Sequence, residues 1–346
     1  MILNIYRNKR ILVTGHTGFK GSWLVLWLKI LGAKVYGLSL PKNTDANHWG
    51  CLNLNLETYE IDIRNYKDLE SKISSIKPDL IFHLAAQSLV IDSFEDPLKT
   101  FSTNIIGTAN LLNICRPLNN LFGVITVTSD KCYENKGWLW GYRENDRLGG
   151  KDPYSASKAS TEIVVSSFRD SFYDESNSAL LSTARGGNVI GGGDWSKNRL
   201  IPDIIRSIKT DEILKIRNPD AIRPWQHVLD CLMGYLLLGE KILRKDRNYA
   251  NSWNFGPGIN SIKTVEDVIR QYKLYDKKLK WKFVNSNKHE AQILSLDSTK
   301  SNSKLGWKPI LSFEDTIQWT FWWYQSFEES GKVESINQIE NYMELI

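Results

Sequence analysis

The sequence has few cysteines and no long hydrophobic run. Its 346 residues include four cysteines, none of them in a Cys-x-x-Cys pair or near histidine at metal-ligand spacing, which argues against a zinc site. Isolated cysteines suit a reducing compartment. No apolar stretch reaches the ~18 residues that a membrane-spanning helix needs, and the segment MILNIYRNKRILVTG has no secretory pattern. We therefore expect a cytoplasmic protein with no bound metal and no membrane partner.

Basic residues are not concentrated in any part of the chain. The formal net charge is +5, but lysine and arginine are scattered, so we expect a solvated surface and no nucleic-acid interface. Low-complexity tracts and repeats of about 20 to 50 residues are also missing from the sequence. A mildly positive protein still favours an anionic substrate.

Apolar runs alternate with helical patterns through the first half of the chain. Strands are expected near residues 10–14, 34–38, 79–84, 124–128 and 179–185, and helices over 22–31 and from about residue 153. This alternation predicts an α/β fold, a Rossmann-type doubly wound parallel sheet with helices on both faces.

The character of the sequence changes after residue 185. A glycine-rich segment, GGNVIGGGDW, is followed by loops and short helices rich in arginine and tryptophan, and residues 227–243 are expected to form a helix that returns to the first domain. We expect a dinucleotide-binding domain of residues 1–185 plus about 227–256. A smaller C-terminal substrate-binding lobe would comprise residues 186–226 plus about 257–346.

A glycine-rich turn, GHTGFKG, directly follows the first predicted strand and opens a helix. Glycines at this spacing permit a tight turn and let the backbone approach a pyrophosphate, which the helix N-terminus then faces. We therefore expect a dinucleotide site here and not a purely structural turn. The residues expected to hold it are Gly15, Thr17, Gly18, Phe19, Lys20 and Gly21.

The residues alone leave the choice between NAD and NADP open. The ribose-binding acid expected about 20 residues past the turn is missing, and Lys42 offers a partner for a 2′-phosphate. Asp62 is a candidate to bond the adenine amino group. The alternative for Asp62 is a structural role as the N-cap of a helix after Asn65.

Tyr154 and Lys158 stand four residues apart where a helix is expected to begin. Residues i and i+4 share a helix face, so the ammonium can lie beside the phenol. A cation at ~4 Å would lower the pKa of the phenol towards neutrality, where a general base works best. Downstream of a dinucleotide turn, the pair predicts a catalytic base and not a chance spacing.

A second polar cluster, Thr128, Asp130 and Lys131, ends the predicted strand VITVTS. Ligands of open α/β sheets bind at the carboxyl ends of the strands, so the Thr128 hydroxyl is expected to bond a substrate oxygen shared with Tyr154. An oxidoreductase needs only the tyrosine and the lysine, and an additional acid–base pair therefore points to an elimination step as well. A plain polar turn is the alternative.

These motifs resemble the extended short-chain dehydrogenase/reductase superfamily and, within it, the CDP-glucose 4,6-dehydratases. The resemblance covers almost the whole chain, and its most specific motifs are GHTGFKGSW and TSDKCYEN, supported by LGGKDPYSASK, GNVIGGGDW and IRNPDAIRPWQHVLD. The dTDP-glucose 4,6-dehydratases resemble the chain less, since they carry an Asp-Glu pair where this chain has Asp130 and Lys131.

The resemblance implies NAD as a bound, recycled cofactor and CDP-glucose as the substrate. Tyr154 would remove the C4 hydroxyl proton while hydride passes to NAD, with Lys158 on the nicotinamide ribose and Thr128 on the C4 oxygen. Asp130 and Lys131 would share removal of the C5 proton and protonation of the C6 hydroxyl, before the hydride returns to C6. The product is a 4-keto-6-deoxy sugar, which family members feed into surface polysaccharides such as lipopolysaccharide O-antigen.

The resemblance also assigns residues to both ligands. Those expected to line the cofactor are Asp62, Ile63, Leu84, Ala85, Ala86, Gln87 and Thr103. Those expected to face the sugar diphosphate, for which arginine forks are well suited, are Asn188, Arg199, Arg217, Arg223 and His289. Each arginine could instead form a surface ion pair, and His289 could be structural. Ile91 is a departure, since the family usually has arginine there.

Other functions fit parts of the same pattern. A dTDP- or UDP-sugar 4,6-dehydratase, or a 4-epimerase, would also need Tyr154 and Lys158, although an epimerase would not need Asp130 and Lys131. A non-catalytic NAD-sensing scaffold would need none of them. The base specificity follows from the resemblance alone. So does the expectation of a homodimer, or a dimer of dimers, through helices that include the one carrying Tyr154.

Overall fold

The computed structural model describes residues 3–41, 47–175, 178–258, 261–284 and 293–346. Its strands are β1 (Arg10–Thr14), β2 (Lys34–Ser39), β3 (Glu57–Glu60), β4 (Leu80–His83), β5 (Gly123–Ser129), β6 (Leu180–Gly186), β7 (Asn188–Ile190), β8 (Leu214–Ile216), β9 (Ile222–His227), β10 (Ser252–Phe255), β11 (Ile262–Thr264) and β12 (Trp281–Phe283).

The helices alternate with the strands of the main sheet and then dominate the C-terminal part. They are α1 (Phe19–Ile30), α2 (His48–Leu52), α3 (Tyr66–Ile76), α4 (Val90–Glu95), α5 (Pro97–Phe101), α6 (Gly107–Cys115), α7 (Pro153–Phe172), α8 (Leu200–Lys209), α9 (Val228–Leu243), α10 (Val265–Tyr275), α11 (Phe313–Ser330) and α12 (Ser335–Glu344).

The main sheet has seven strands in the order β10-β6-β5-β4-β1-β2-β3, and every neighbouring pair is parallel. The chain moves outward from β1 in one direction, then returns and continues in the other. This confirms the predicted doubly wound Rossmann-type sheet. The carboxyl ends of β1, β4, β5 and β6 therefore meet at one edge, which is where ligands bind in such sheets.

Two apolar cores cover the faces of this sheet. One packs buried residues of α1, α9, α11 and α12 against the strands, with Trp23, Trp27 and Trp323 among its largest side chains. The other packs α3, α6 and α7 against the opposite face through residues such as Leu69, Leu111 and Val165. All seven residues of β5 are buried, as expected for a strand that helices cover on both sides.

Local sequence explains where helices α1 and α7 begin. Gly18, in an extended conformation, is the N-cap of α1, which therefore starts at Phe19, three residues earlier than its hydrophobic pattern predicted. Helix α7 has Pro153 at its first position, and the carboxylate of Asp152 accepts a hydrogen bond from the Ser155 amide. Both features favour a helix N-terminus. They fix Tyr154 in the first turn of α7.

The remaining strands form two small sheets, one in the order β11-β9-β7 and one of β12 and β8. They follow the main sheet in the chain, together with α8 and α10. Strand β10 returns to the main sheet beside β6. We therefore propose the same division of the chain, with residues 1–185 and about 227–256 forming the dinucleotide-binding domain.

Within the described ranges, no helix has both the length and the apolar character required to cross a bilayer.

Candidate active site

A cavity of about 1590 Å³ opens at the carboxyl edge of the main sheet. It is lined by the glycine-rich turn, the ends of β4 and β5, the first turns of α7, and segments of the smaller lobe around β7, α8 and β8. All the predicted site residues in the described ranges line it except Gln87. His289 lies outside the described residues, as does Lys42.

The glycine-rich turn of residues 15–21, which we call the phosphate turn, is shaped by close backbone packing. Gly15 has φ +72°, and a Cβ there would lie 2.7 Å from the Ala85 amide nitrogen. A Cβ on Gly21 would lie 2.2 Å from the Gly15 carbonyl oxygen. No side chain caps the N-terminus of α1 at Gly18. The first amides of α1 are thus open to the cavity, an arrangement that fits a dinucleotide pyrophosphate.

The adenosine end of the cavity is lined by Ser39, Leu40, Pro41, Asp62 and Ile63. Asp62 accepts hydrogen bonds from the backbone amide of Arg64 at 2.9 Å and from its guanidinium at 2.5 to 3.0 Å. The Arg64 bond holds the pKa of Asp62 below its usual value. The N-cap of α3 is Asn65, so Asp62 is not a helix cap, and it lines the cavity wall with its carboxylate bonded to Arg64.

Gln87 does not line the cavity, contrary to its predicted place beside the cofactor. Its side-chain amide donates to the Leu89 carbonyl at 2.8 Å and accepts from the Leu89 amide at 3.0 Å. The side chain is therefore used to close the turn after β4. Its neighbours Ala86 and Ser88 line the cavity in its place.

Tyr154 and Lys158 lie one turn apart on α7, and both are buried. Burial raises the pKa of Tyr154 to about 12, although the hydrogen bond between Tyr154 and Ser129 and the charge of Arg199 oppose this. Lys158 donates to the Val127 carbonyl at 3.1 Å. Burial, followed by the charge of Lys20, lowers the pKa of Lys158 to about 8. The predicted lowering of the phenol pKa by Lys158 is thus wrong for this structure, because desolvation dominates and the ammonium is bonded to backbone.

The hydroxyl beside Tyr154 belongs to Ser129, a residue that the sequence interpretation missed. Thr128 also borders the cavity, but its hydroxyl donates to the buried Glu162 at 2.5 Å. Ser129 bonds Tyr154 and donates to Asp130 at 2.7 Å. Successive side chains of a strand point to opposite faces, so only one of the two hydroxyls can serve the substrate. That alternation was the available signal, and we reassign the role predicted for Thr128 to Ser129.

Asp130 and Lys131 form a short 3-10 turn with Cys132 directly after β5. Asp130 is 1% exposed, and its Oδ2 atom has no hydrogen-bond partner among the described residues. Lys131 is half-buried, and its backbone amide donates to the Ser129 hydroxyl at 3.2 Å. Together with Ser129, Tyr154 and Lys158, these two residues line one side of the cavity, and we call the five the catalytic edge.

Cationic side chains surround the catalytic edge. Arg199 donates to the buried Asp194 at 2.8 Å and is close enough to Tyr154 to lower the pKa of its phenol. Lys20, from the phosphate turn, donates to the Tyr235 hydroxyl at 3.2 Å, and burial lowers its pKa. The predicted diphosphate ligands Asn188, Arg217 and Arg223 line the same cavity, and Ile91 borders it too. In the described ranges, no cluster of His, Cys, Asp or Glu could hold a metal ion.

Comparisons with known proteins agree with this geometry. The GDP-mannose 4,6 dehydratase family model matches residues 12–320. A CDP-glucose 4,6-dehydratase of Salmonella typhimurium is 43% identical over 98% of this chain and 98% of its own length. A dTDP-glucose 4,6-dehydratase of the same species is 26% identical, over 91% of this chain and 92% of its own.

Solved structures resemble the fold over nearly its whole length. A dTDP-glucose 4,6-dehydratase of Streptomyces venezuelae, crystallised with NAD, has 25% identity and a TM-score of 0.79, covering 94% of this chain and 99% of that one. A UDP-glucose 4-epimerase of Thermotoga maritima has 25% identity and a TM-score of 0.78, covering 92% of this chain and 99% of that one. The chain therefore belongs to the GDP-mannose 4,6 dehydratase family, within the extended short-chain dehydrogenase/reductase superfamily that its motifs resemble.

Proposed function

We propose that this protein is an NAD-dependent hydro-lyase that converts CDP-glucose to CDP-4-keto-6-deoxyglucose and water. The observation that carries this proposal is the catalytic edge, where the acid–base pair Asp130 and Lys131 lies beside Tyr154 and Lys158 in one cavity with the phosphate turn. The relative with 43% identity supports both the reaction and the base, since it is a CDP-glucose 4,6-dehydratase. The overall reaction removes one water and involves no net oxidation.

The phosphate turn and the wall residues Asp62, Ile63 and Ala85 would hold NAD, with Lys158 on the ribose of the nicotinamide half. NAD, when bound, supplies a hydride acceptor for C4 of the sugar and the same hydride for C6 at the end of the cycle. The crowded glycines leave room for a backbone-bound pyrophosphate and for no side chain. This fit is a property of the backbone, and it supports a dinucleotide independently of the relatives, among which the Streptomyces venezuelae structure contains NAD.

Tyr154 takes the proton from the C4 hydroxyl. Its pKa of about 12 means that the phenol is protonated at neutral pH in the protein without ligands. The Ser129 hydrogen bond and the positive charge of Arg199 both favour the phenolate, and positive charge brought by the cofactor would act in the same direction. The contact between Ser129 and Tyr154 supports a role for the Ser129 hydroxyl in bonding the C4 oxygen together with Tyr154.

Elimination needs a base for the C5 proton, which the C4 ketone makes acidic, and an acid for the departing C6 hydroxyl. Asp130 and Lys131 share these two roles. The Oδ2 atom of Asp130 is buried without a partner among the described residues, so it is available to a ligand proton. A carboxylate and an ammonium side by side offer both proton transfers that the step requires.

The diphosphate of the substrate would be bound on the side of the smaller lobe. Arg199, Arg217 and Arg223 all line that part of the cavity, and guanidinium groups form paired hydrogen bonds with phosphate oxygens. Asn188 adds a neutral donor. We retain His289 as a proposed contact from a segment outside the described residues.

One incubation separates this function from its alternatives. The purified protein is mixed with CDP-, dTDP- and UDP-glucose in turn, and each mixture is analysed by mass spectrometry. We expect CDP-glucose to lose the mass of one water. Unchanged mass with a new C4 epimer would support a 4-epimerase, and loss of water only from dTDP- or UDP-glucose would shift the base specificity.

We further propose a homodimer, or a dimer of dimers, in the cytoplasm, whose product supplies deoxysugars for surface polysaccharides such as lipopolysaccharide O-antigen. Apolar side chains protrude from α5 and α7, where Leu98 is 79% exposed and Ile163 is 58% exposed. The four cysteines all lie in the described ranges and are free thiols, which suits a reducing compartment. An Ile163→Glu variant that sediments as a monomer, beside a dimeric parent, would support the α7 interface.

A further inference from the structure

A buried ion pair lies directly behind the catalytic edge. Glu162, on α7, and Arg185, near the end of β6, are 2.8 Å apart, and their side chains are 1% and 2% exposed. Burial raises the pKa of Glu162, but Arg185 and the hydrogen bonds around the carboxylate outweigh it, so the pKa lies below its usual value. The carboxylate is therefore charged, and the pair is a fixed electrostatic element of the interior.

Such a pair needs an explanation other than stability. Removing two charges from water is costly, and their mutual attraction often does no more than offset that cost. Charge-assisted hydrogen bonds are, however, short and strongly directional, which suits them to holding neighbouring groups in place. The question is which groups this pair holds.

One end of the pair holds the last residues of β5. Thr128 donates its hydroxyl to Oε1 of Glu162 at 2.5 Å. The next two residues in the chain are Ser129 and Asp130, so the anchor stands immediately before the catalytic turn. Glu162 lies one helical turn beyond Lys158 on α7. The bond therefore ties the strand that carries Ser129 to the helix that carries Tyr154 and Lys158.

The other end of the pair holds the chain just after the same turn. Arg185 donates to the Tyr133 hydroxyl at 2.6 Å, and Tyr133 follows Lys131 by two residues. Tyr133 in turn donates to the Asn254 side chain at 2.7 Å, which links it to β10. The residues on both sides of Ser129, Asp130 and Lys131 are thus attached to one ion pair.

We propose that Thr128, Glu162, Arg185 and Tyr133 form a positioning clamp that sets the catalytic turn of residues 129–131 against Tyr154. Thr128 and Tyr133 border the cavity, but their hydroxyls are bonded to Glu162 and to Asn254 and Arg185, and the four residues act through the turn. The turn supplies both groups proposed for elimination. For C4 oxidation it supplies only Ser129, whereas the proton acceptor Tyr154 and its neighbour Lys158 lie on α7. Loosening the clamp therefore slows elimination more than oxidation. The inference rests on the proposed dehydratase reaction.

The test compares three substitutions of buried hydroxyls. Thr128→Val removes the bond to Glu162 and keeps the side-chain shape, and Thr128→Ser keeps the bond. Thr183→Val is the matched control, because Thr183 also donates to Glu162, at 2.7 Å, but lies inside β6, away from the turn. We expect Thr128→Val to lower kcat about tenfold with KM changed less than about twofold, as for loss of an interaction made only in the transition state.

Thr128→Ser and Thr183→Val should each retain kcat within about twofold of the wild type, since neither detaches the turn. In a single turnover, Thr128→Val should accumulate reduced nicotinamide, which absorbs at a distinct wavelength, because oxidation outpaces elimination. Equal losses of kcat in Thr183→Val and Thr128→Val, or no loss in Thr128→Val, would overturn the clamp.

A double-mutant cycle shows whether the Thr128 hydroxyl acts through its bond to Glu162 or by contacting the substrate directly. Glu162→Gln should lower kcat at least as much as Thr128→Val, and the double variant should be no slower than Glu162→Gln alone, because both changes break one connection. Independent, multiplying losses would contradict the proposal. Circular dichroism and thermal unfolding establish that each variant is folded, and if Glu162→Gln does not fold, the Thr128 and Thr183 series decides by itself.

Failure of the clamp and failure of the proposed function give different results. A wild-type protein that dehydrates a different sugar nucleotide refutes CDP-glucose as substrate, and the variants are then compared on the nucleotide that it uses. A wild-type protein that dehydrates none of the three refutes the reaction and the clamp together. The clamp alone is refuted if the wild-type protein is active and Thr128→Val loses no more kcat than Thr183→Val.

Discussion

The phosphate turn and the catalytic edge lie in the same cavity but are built differently. The phosphate turn is shaped by backbone, with glycines that leave no room for a Cβ at Gly15 and Gly21. The catalytic edge is made of side chains whose directions and protonation depend on burial and on distant partners, such as Glu162 and Arg199. Binding of a dinucleotide thus depends on close backbone packing, whereas the chemistry depends on contacts between side chains.

The largest effect is expected at the catalytic edge, from Tyr154→Phe. Removing the hydroxyl removes the proton acceptor for C4, and general-base catalysis contributes typically about 10²–10⁴-fold, so we expect kcat to fall by about 10³-fold. The affinity for NAD, measured by fluorescence titration, should change little. A variant as active as the wild type would show that another group takes the C4 proton.

Lys131→Ala should block the second half of the reaction. Without the ammonium, the departing C6 hydroxyl loses one of its two proposed proton partners, and product formation should fall by about 100-fold. Exposed Lys67 on α3 provides the control, since Lys67→Ala should behave as the wild type. Product formed by Lys131→Ala at the wild-type rate would leave elimination to Asp130 alone.

Gly15→Ala tests the phosphate turn. The added methyl group would clash with the Ala85 backbone at 2.7 Å in a residue with φ +72°, so we expect NAD affinity to fall by at least about tenfold. Gly306→Ala is the matched control, because Gly306 has φ +73° and open space around the new methyl group. If both substitutions weakened NAD binding equally, backbone strain and not the close approach would explain the loss.

The smallest expected effect is the response to pH, in which activity should fall while stability rises. The pKa of Lys158 is lowered from 10.5 to about 8 by burial, so its ammonium is lost as pH rises through about 8, and activity should decline. Because the pKa of Lys158 is lower in the folded than in the unfolded protein, the buried ammonium reduces the free energy of unfolding below pH 8. This reduction disappears as the pH rises from 8 towards 10.5. Stability relative to Lys158→Met should therefore increase between pH 8 and 10.5, as measured by urea unfolding at each pH. A difference in unfolding free energy between the two proteins that does not change with pH would contradict the lowered pKa of Lys158.

The features that depend on local sequence patterns could be predicted from the sequence. Alternating strands and helices predicted the parallel sheet, and the GHTGFKG turn predicted the place where α1 and β1 meet the cavity. The orientation of adjacent side chains was harder to predict. Choosing between Thr128 and Ser129 required knowing that Glu162, 34 residues from Thr128, accepts the first hydroxyl.

Electrostatics were the least predictable part of the site. A spacing of four residues correctly placed Tyr154 and Lys158 on one helix face, yet it could not show that both groups are buried or that the Val127 carbonyl accepts the ammonium. Gln87 is a similar case, since the side chain closes its own turn. Each of these outcomes depends on desolvation and on partners that are distant in sequence.

The most direct test of the central claim follows one hydrogen atom. CDP-glucose carrying deuterium at C4 is incubated with the wild-type protein, and the product is examined by NMR and mass spectrometry. The account predicts that water is lost and that the deuterium appears in the C6 methyl group. Deuterium that remains at C4, or that is released to solvent during dehydration, would contradict it.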